Sequence, residues 1–420
     1  MAEVQDISEV RKKYKKKSIV KRIILIVLIF ILVLVALSFT NETVRTKVND
    51  FFSTISAEFG GGNGFPISLA GSTPSMMTAF SNDLGVLTET NFYVYNQNGK
   101  EIGNIQHGFT NPKVVNNSSL SAVYDRGGKK LILSSKTREL MNQTYEFSIL
   151  TADLAKNGYL AVATTSQRYT SQMTVYDSNQ EEILTWYSAQ NHIVSLSVFD
   201  DGSGVAIGTL GGENGTLKSS LVFLSFSEEE PIATLDFPGE SIYAVDYKDG
   251  GHIFVVTDKA VRVMSSTGTI EGQYDYGATN LVSFSTEDSE NIALVFGDYN
   301  QYQQATIILI DQTCKKVGEI HLDEAVKDIS LSNDRLAVLL QQEVIVYDMA
   351  GTEIRRASVE RSCIGIQMAG SSVYASLTGR IEKVLAKRWK IHLNWKIFFL
   401  CLYGKEWGGT GRGWVGEKGR

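Results

Sequence analysis

The chain has few of the residues that define several common protein classes. Its 420 residues include five prolines, three cysteines and five histidines. So few prolines exclude a collagen-like or proline-rich polymer, and three cysteines cannot form the disulfide framework of a small secreted scaffold. No Cys-x-x-Cys pair occurs and the histidines share no spacing, so the sequence predicts neither a metal site nor a cofactor.

Motifs of common enzyme classes are also missing. No Walker phosphate-binding loop and no G-x-S-x-G nucleophile elbow is found along the sequence. A quinoprotein-like dehydrogenase would carry a tryptophan-ended repeat in every unit, but Trp186 is the one tryptophan between residues 40 and 385. We therefore expect no catalytic residue, although two carboxylates that converge in the folded chain would still allow a glycosidase.

Charge is divided unevenly along the chain. The overall net charge is −6, whereas residues 1–22 carry +5 and residues 386–420 carry +6. The central residues 23–385 therefore carry −17. Such an acidic region disfavours nucleic acid and other polyanions as partners.

A long apolar run lies near the N-terminus. Residues 23–39 hold no charge, and fifteen of the seventeen are Ile, Leu, Val or Phe. A helix of this length covers roughly 26 Å, close to the minimum for a bilayer core. Eight Lys or Arg residues precede the run, which predicts a single-pass signal-anchor in the plasma membrane, with residues 1–22 cytoplasmic and the remainder extracellular. A cleaved signal peptide is the alternative.

Residues 40–64 follow the apolar run and have two parts. The first part predicts an amphipathic stalk, because apolar residues recur at helical spacing. This stripe could pair with a second copy, lie on the membrane surface, or pack against the underside of the next domain. The glycine-rich residues 60–64 predict a flexible joint. The stripe consists of Val44, Val48, Phe51, Phe52, Ile55 and Phe59.

A strand-turn-strand pattern then occurs six times. Counting the 81-residue first step as two units, the copies recur on average every 42 residues. A repeat of this length without helices is typical of a β-propeller blade of four strands. The copies are VYNQNGKEI (94–102), VYDSNQEEI (175–183), LSFSEEEPI (224–232), VMSSTGTI (263–270), LIDQTCKKV (309–317) and VYDMAGTEI (346–354).

A second element precedes most of these copies and completes the unit. It consists of an apolar strand, a polar turn and another apolar strand, as in residues 195–210 and 328–340. The sequence thus predicts an all-β propeller over residues 65–385, with eight four-stranded blades favoured over seven. Residues 65–70 would complete the last blade and pair its open edge. The basic, Trp-rich residues 386–420 lack the pattern and predict a non-native tail, or alternatively a membrane-surface segment.

Three of the predicted blades are lengthened between their second and third strands. The extra residues lie within 167–172, 211–219 and 298–304. In a propeller these connections share one face, where recognition loops commonly occur. Candidate contacts for a glycan or protein partner, as opposed to merely tolerated solvated insertions, are Arg168, Tyr169, Asn214, Tyr299, Tyr302 and Gln303.

Over about residues 15–385 the chain resembles a family of uncharacterised single-pass membrane proteins of Gram-positive bacteria. The resemblance rests on the anchor, the linker and the VYD-x-x-G-x-x-I repeats, and it implies a propeller-like ectodomain in the cell envelope with no catalytic residues to transfer. We therefore expect a non-catalytic interaction scaffold or sensor. The alternative is a propeller enzyme, acting on envelope glycans or as a quinoprotein-like dehydrogenase.

Overall fold

The computed structural model describes residues 61–69, 71–213, 215–228, 230–287, 290–297 and 304–385. The predicted anchor (23–39), most of the predicted stalk and the tail (386–420) lie outside these ranges. No helix within the described ranges is long and apolar enough to cross a bilayer. Apart from the one-turn 3-10 segment Asp249–Gly251, the regular structure of these ranges consists of strands.

The first four blades are antiparallel four-stranded sheets built from consecutive strands. They are preceded by the short strand β1 (Ile67–Ser68). Blade 1 comprises β2 (Met76–Phe80), β3 (Asp83–Leu87), β4 (Asn91–Tyr95) and β5 (Glu101–Gln106). Blade 2 comprises β6 (Pro112–Asn116), β7 (Leu120–Asp125), β8 (Lys130–Ser135) and β9 (Glu139–Thr144). Blade 3 comprises β10 (Ile149–Leu154), β11 (Leu160–Thr165), β12 (Ser171–Tyr176) and β13 (Glu182–Ser188), and blade 4 comprises β14 (His192–Val198), β15 (Gly204–Glu213), β16 (Thr216–Ser225) and β17 (Ala233–Pro238).

The next three blades repeat the arrangement, and the eighth closes the ring. Blade 5 comprises β18 (Ile242–Tyr247), β19 (His252–Thr257), β20 (Ala260–Ser265) and β21 (Ile270–Asp275). Blade 6 comprises β22 (Leu281–Ser285), β23 (Ile292–Gly297), β24 (Ala305–Ile310) and β25 (Lys316–Leu322). Blade 7 comprises β26 (Asp328–Ser332), β27 (Arg335–Leu339), β28 (Glu343–Asp348) and β29 (Glu353–Ser358). Blade 8 comprises β30 (Gly365–Ala369), β31 (Ser372–Leu377), β32 (Arg380–Leu385) and β1.

Closure of the ring follows the prediction of a mixed last blade. Strand β1, from the start of the propeller, pairs antiparallel with β32 from its end, with Ile67 opposite Ile381 and Ser68 opposite Arg380. Strand β1, the first strand of the described residues, thereby becomes the outermost strand of the last blade. An eight-bladed, four-stranded propeller is confirmed, and the seven-bladed alternative is wrong.

The antiparallel order defines two faces of the ring. The upper face carries the connections between blades and those from second to third strands, and the lower face carries the other two turns of each blade. Each predicted VYD-type motif forms a lower-face turn between the third and fourth strands. In blade 7, Oδ1 of Asp348 accepts the N–H groups of Ala350 at 3.0 Å and Thr352 at 2.8 Å. Asp and Asn therefore open these turns because their side chains bind the turn backbone.

The core lies between neighbouring blades. Strand β3 is buried at all five positions, whereas the outer strand β5 alternates between exposed and partly buried side chains. The second and third strands read as continuous apolar runs because both of their faces are covered. One representative cluster joins blades 6 and 7 through Leu309, Leu336 and Val338, all fully buried.

Candidate functional site

The eight innermost strands surround a central channel, and each presents one unpaired edge to it. Polar side chains of one blade satisfy part of this edge on the next. Ser195 and Ser197 in blade 4 accept the N–H groups of Val245 (2.9 Å) and Tyr247 (2.8 Å) in blade 5. Four more backbone N–H groups donate in the same way to a side-chain oxygen of the preceding blade. The pairs are Val198 with Asp153, Leu331 with Ser285, Ile366 with Asp328, and Met368 with Ser330. The polar residues of the inner strands thus hold adjacent blades together.

A cavity of about 330 Å³ opens among the inner strands of blades 7, 8 and 1. We call it the channel pocket. Its wall combines apolar side chains with one ammonium and two carboxyl groups. The lining residues are Pro74, Ser75, Met76, Met77, Glu287, Lys327, Asp328, Ile329, Ile364, Gly365, Ile366, Gln367 and Ser376.

The carboxylate of Glu287 lies at the inner end of the channel pocket. Its Oε2 accepts hydrogen bonds from Ser330 Oγ and from Gln367 Nε2, both at 3.0 Å. These partners lie two residues further along their strands than Asp328 and Gly365 at the entrance. The residue is exposed to channel solvent. Desolvation by the surrounding protein and the charge of Asp328 raise the pKa of Glu287, and the hydrogen bonds from Gln367 and Ser330 and the charge of Lys248 act against this rise.

Asp328, the second carboxyl group of the pocket, is bound to backbone. Its Oδ1 accepts the N–H of Ile329 at 2.9 Å and its Oδ2 accepts the N–H of Ile366 at 2.8 Å. The neighbouring Lys327 donates from Nζ to three carbonyl oxygens, those of Gln341, Arg361 and Cys363, at 3.2–3.3 Å. Both side chains thus fix loop and strand backbone at the channel entrance.

Further acidic groups lie toward the lower end of the channel. Burial raises the pKa of Asp153 to about 7, although the N–H of Val198 donates to it, and the nearby charge of Asp246 adds to the rise. Asp246 itself is paired with Lys248 at 2.8 Å, and Lys248 also donates to the carbonyl oxygen of Thr286. The channel is therefore an acidic environment with a small number of cationic partners.

Exposed apolar side chains are found at the upper end of the inner strands. We call this set, Met76, Tyr243, Val282 and Ile364, the apolar rim; their exposed fractions are 39%, 51%, 43% and 51%. Tyr243 and Val282 are the extra residues of β-bulges in β18 and β22, and bulges re-aim side chains near the ends of strands. Apolar groups exposed together around a cavity indicate a binding surface.

Two of the six candidate contacts predicted from sequence belong to the described residues. Arg168 and Tyr169 are exposed in the upper-face connection between β11 and β12, and the Tyr169 ring packs on Tyr187 with a centroid distance of 4.8 Å. Asn214, Tyr299, Tyr302 and Gln303 lie outside the described ranges. The lengthened connection of blade 4 forms an extension of the β15–β16 hairpin, paired as far as Glu213 and Thr216. The joint role of the six candidate residues in recognition stays a prediction.

The channel pocket, the apolar rim and the role of Tyr187 were not predicted from the sequence. The recurring Ser-x-Ser and Asp-x-Ser patterns in β14 and β26 were a usable signal for the inner strands, because polar residues there meet the open edge of the next blade. Nothing in the local sequence distinguished Glu287, which reaches Gln367 across 80 residues of chain.

Comparison with known proteins defines the class and then the family. The C-terminal WD40 domain of Sif2 is similar in structure, with a TM-score of 0.56 at 12% identity over 78% of this chain and 99% of that domain. BamB from Moraxella catarrhalis has a TM-score of 0.49 at 13% identity, covering 76% of this chain and 98% of BamB. The Myceliophteria thermophila Cps50 (Swd1) β-propeller domain has a TM-score of 0.48 at 10% identity, covering 77% and 100%. The likeness to the Sif2 domain shows that the class is β-propeller.

The family is shown by its sequence model. Residues 67–384 match the family of unknown function DUF5711, and the chain belongs to this family. The matched range coincides with the propeller from β1 to β32. No curated protein matches the chain.

Proposed function

We propose that this protein is a membrane-anchored scaffold or sensor of the cell envelope, and that it binds a partner through the upper face of its propeller. The observation that carries the proposal is the channel pocket, whose lining includes Met76 and Ile364 of the apolar rim. A concave site that combines apolar side chains with polar and charged groups is a common form of recognition site. The anchor rests on the apolar run at 23–39 and the basic residues before it.

The position of the chain entry supports the choice of face. Near the start of the described residues, the N–H of Gly64 donates to the carbonyl oxygen of Asn98 at 3.0 Å. Asn98 belongs to the lower-face turn between β4 and β5. A tether at the N-terminus therefore joins the propeller on its lower side, which leaves the upper face free to meet a partner.

The test is capture of a partner by full-length protein solubilised from membranes. One bait carries Met76→Ser with Ile364→Ser in the apolar rim. The matched control carries Ile183→Ser with Ile354→Ser, which change side chains of similar exposure (41% and 43%) on the outer strands. We expect a specific protein that the wild type and the control recover and that the rim variant loses. Equal recovery by all three baits would refute an upper-face site.

A propeller enzyme acting on envelope glycans is the second candidate. It is favoured by the presence of Glu287 and Asp328 in one cavity, since glycosidases use paired carboxyl groups. Against it, both oxygens of Asp328 accept backbone hydrogen bonds, which suits a structural role better than a nucleophile or base. Release of reducing ends from purified wall glycan by the wild type, abolished in Asp328→Asn, would favour the enzyme.

A further inference from the structure

We propose that the channel pocket binds a lysine or arginine side chain of an extended peptide segment, with the carboxylate of Glu287 as its counter-ion. This inference rests on the proposed function and specifies the partner's chemistry. It assigns the stem of the inserted side chain to the apolar wall of the pocket, and the residues that flank it in the partner to the apolar rim.

Acidic side chains of the channel favour a cationic ligand. The inner strands and the pocket hold the carboxyl groups of Asp153, Asp246, Glu287 and Asp328 and the ammonium groups of Lys248 and Lys327. A further ammonium group, that of Lys113, belongs to the inner strand β6 of blade 2. Lys248 is paired with Asp246, and Lys327 points to backbone carbonyls. Within the described ranges, the side chains that donate to Glu287 are the neutral Ser330 and Gln367. The charge of Lys248 lowers the pKa of Glu287 from nearby, but its Nζ donates to the Thr286 carbonyl oxygen and to Asp246. A cationic group in the pocket would therefore be the one bonded directly to the Glu287 carboxylate.

The pKa shifts of the carboxyl groups in the channel are consistent with a cationic ligand. Desolvation by the surrounding protein raises the pKa values of Asp153, Glu287 and Asp328. A cationic side chain in the pocket would act against this rise, because an opposite charge nearby favours the charged form of a carboxyl group. A lysine or arginine beside Glu287 would relieve the repulsion that Asp328 exerts on it.

The depth of the pocket fits a long cationic side chain. Glu287 bonds to Ser330 and Gln367, two strand residues below the entrance, and two residues of strand span roughly 6.6 Å. The three- or four-carbon stems of arginine and lysine extend over a comparable length and pack against apolar surface. Met76 and Ile364, both exposed in the pocket lining, provide such surface.

The apolar rim favours a peptide over a free amine or a sugar. A small amine would occupy the pocket and leave the rim in water, whereas a chain that inserts one side chain brings its neighbouring residues over the mouth. Met76 and Ile364 line the pocket, with Lys327 and Asp328 of blade 7 beside them. Val282 and Tyr243 are exposed at the same level of blades 6 and 5. Burial of these exposed side chains would add to the affinity.

The experiment uses full-length protein in detergent and a library of short fluorescein-labelled peptides with a central arginine and varied flanks. The tightest binder is remade with citrulline at the centre, which removes the charge but keeps the shape. We expect citrulline to weaken binding to the wild type by about tenfold, because it removes the charge that pairs with the Glu287 carboxylate. Glu287→Gln should weaken the arginine peptide by a similar factor and leave the citrulline peptide nearly unchanged.

The control variant is Glu324→Gln, which makes the same charge change at an exposed upper-face position outside the channel pocket. It should bind both peptides as the wild type does. Equal binding of the arginine peptide to wild type and Glu287→Gln, with the melting temperatures of both unchanged, would overturn the inference. So would a library without a binder. The proposed function would still stand in either case if the apolar-rim variant lost its captured partner.

Discussion

The contact between Arg262 and Glu240 joins blades 4 and 5 and offers a quantitative test of how the blades are held together. Arg262 Nη1 and Nη2 donate to the two carboxylate oxygens of Glu240 at 2.8 and 2.9 Å, and Nε donates to Gln273 at 2.9 Å. The guanidinium lies 4.8 Å from the ring centroid of Phe237. The side chains of Arg262 and Glu240 are only 9% and 15% exposed.

We expect Arg262→Met to lower the free energy of unfolding by about 3–5 kcal/mol, the range for removing one partner of a buried ion pair. Methionine keeps much of the apolar stem but leaves the Glu240 carboxylate with Thr257 as its hydrogen-bond donor. For a domain the length of residues 67–384, this corresponds to a fall in melting temperature of about 4–8 °C. Replacing both partners, as Arg262→Met with Glu240→Leu, should restore most of the loss because no buried charge remains.

A low pH should reduce the contribution of the Arg262–Glu240 ion pair to the free energy of unfolding. Burial alone would raise the pKa of Glu240, but the hydrogen bonds from Arg262 and Thr257, with the charge of Arg262, outweigh burial and lower it. A folded-state pKa below the unfolded value stabilises the protein above the unfolded pKa, and this stabilisation is lost as the pH falls through the folded-state pKa. The difference in the free energy of unfolding between wild type and Arg262→Met should therefore become smaller below about pH 4.

The measurement is thermal unfolding of the full-length protein in detergent, followed by circular dichroism at several pH values. A loss of less than about 1 kcal/mol for Arg262→Met, the range for an exposed ion pair, would refute the view that this contact is desolvated. A double variant as unstable as the single one would refute the assignment of the loss to an uncompensated Glu240.

Two further predictions concern the lower-face turns and the cysteines. Gln180, with a φ of 65°, occupies the turn position that Gly351 occupies in blade 7, so Gln180→Gly should stabilise the folded protein by about 1 kcal/mol. Gly351→Ala should destabilise it, because the added Cβ would lie 2.7 Å from a carbonyl oxygen of blade 6. The melting temperatures of the two variants test both predictions. Burial raises the pKa of Cys314 to about 11 and also raises the pKa of Cys363. In a Cys401→Ser background, both thiols should therefore react with a disulfide reagent only after denaturation. Fast reaction of the native protein at neutral pH would contradict this prediction.

The turn between third and fourth strands shows what could be predicted from local sequence. Asp348 and its counterparts bind their own turn backbone, so the same few residues recur wherever that turn recurs. A motif that acts through contacts two to four residues away is visible in any alignment of the chain with itself. This is why the repeat length and the four-stranded blade were predicted correctly.

The prediction failed for residues whose contacts are distant along the chain. The start of β30 at Gly365 is one example, because Asp328 of the preceding blade binds the N–H of Ile366 there. The predicted contact residues Arg168 and Tyr169 are exposed on the upper face, yet the aromatic partner of Tyr169, Tyr187, lies on the outer strand β13. Its position depends on strand register.

By itself, the sequence determined the class of fold, the eight-blade preference and the closing strand, because these follow from short-range turn chemistry repeated at a constant interval and from an unpaired strand at each end. Only the tertiary structure decided the binding site. Glu287, Asp328 and Gln367 come from three blades, and they meet because the ring closes when β1 pairs with β32. The channel, its acidic interior and its apolar rim exist only in the closed ring, since each blade contributes just one edge to them.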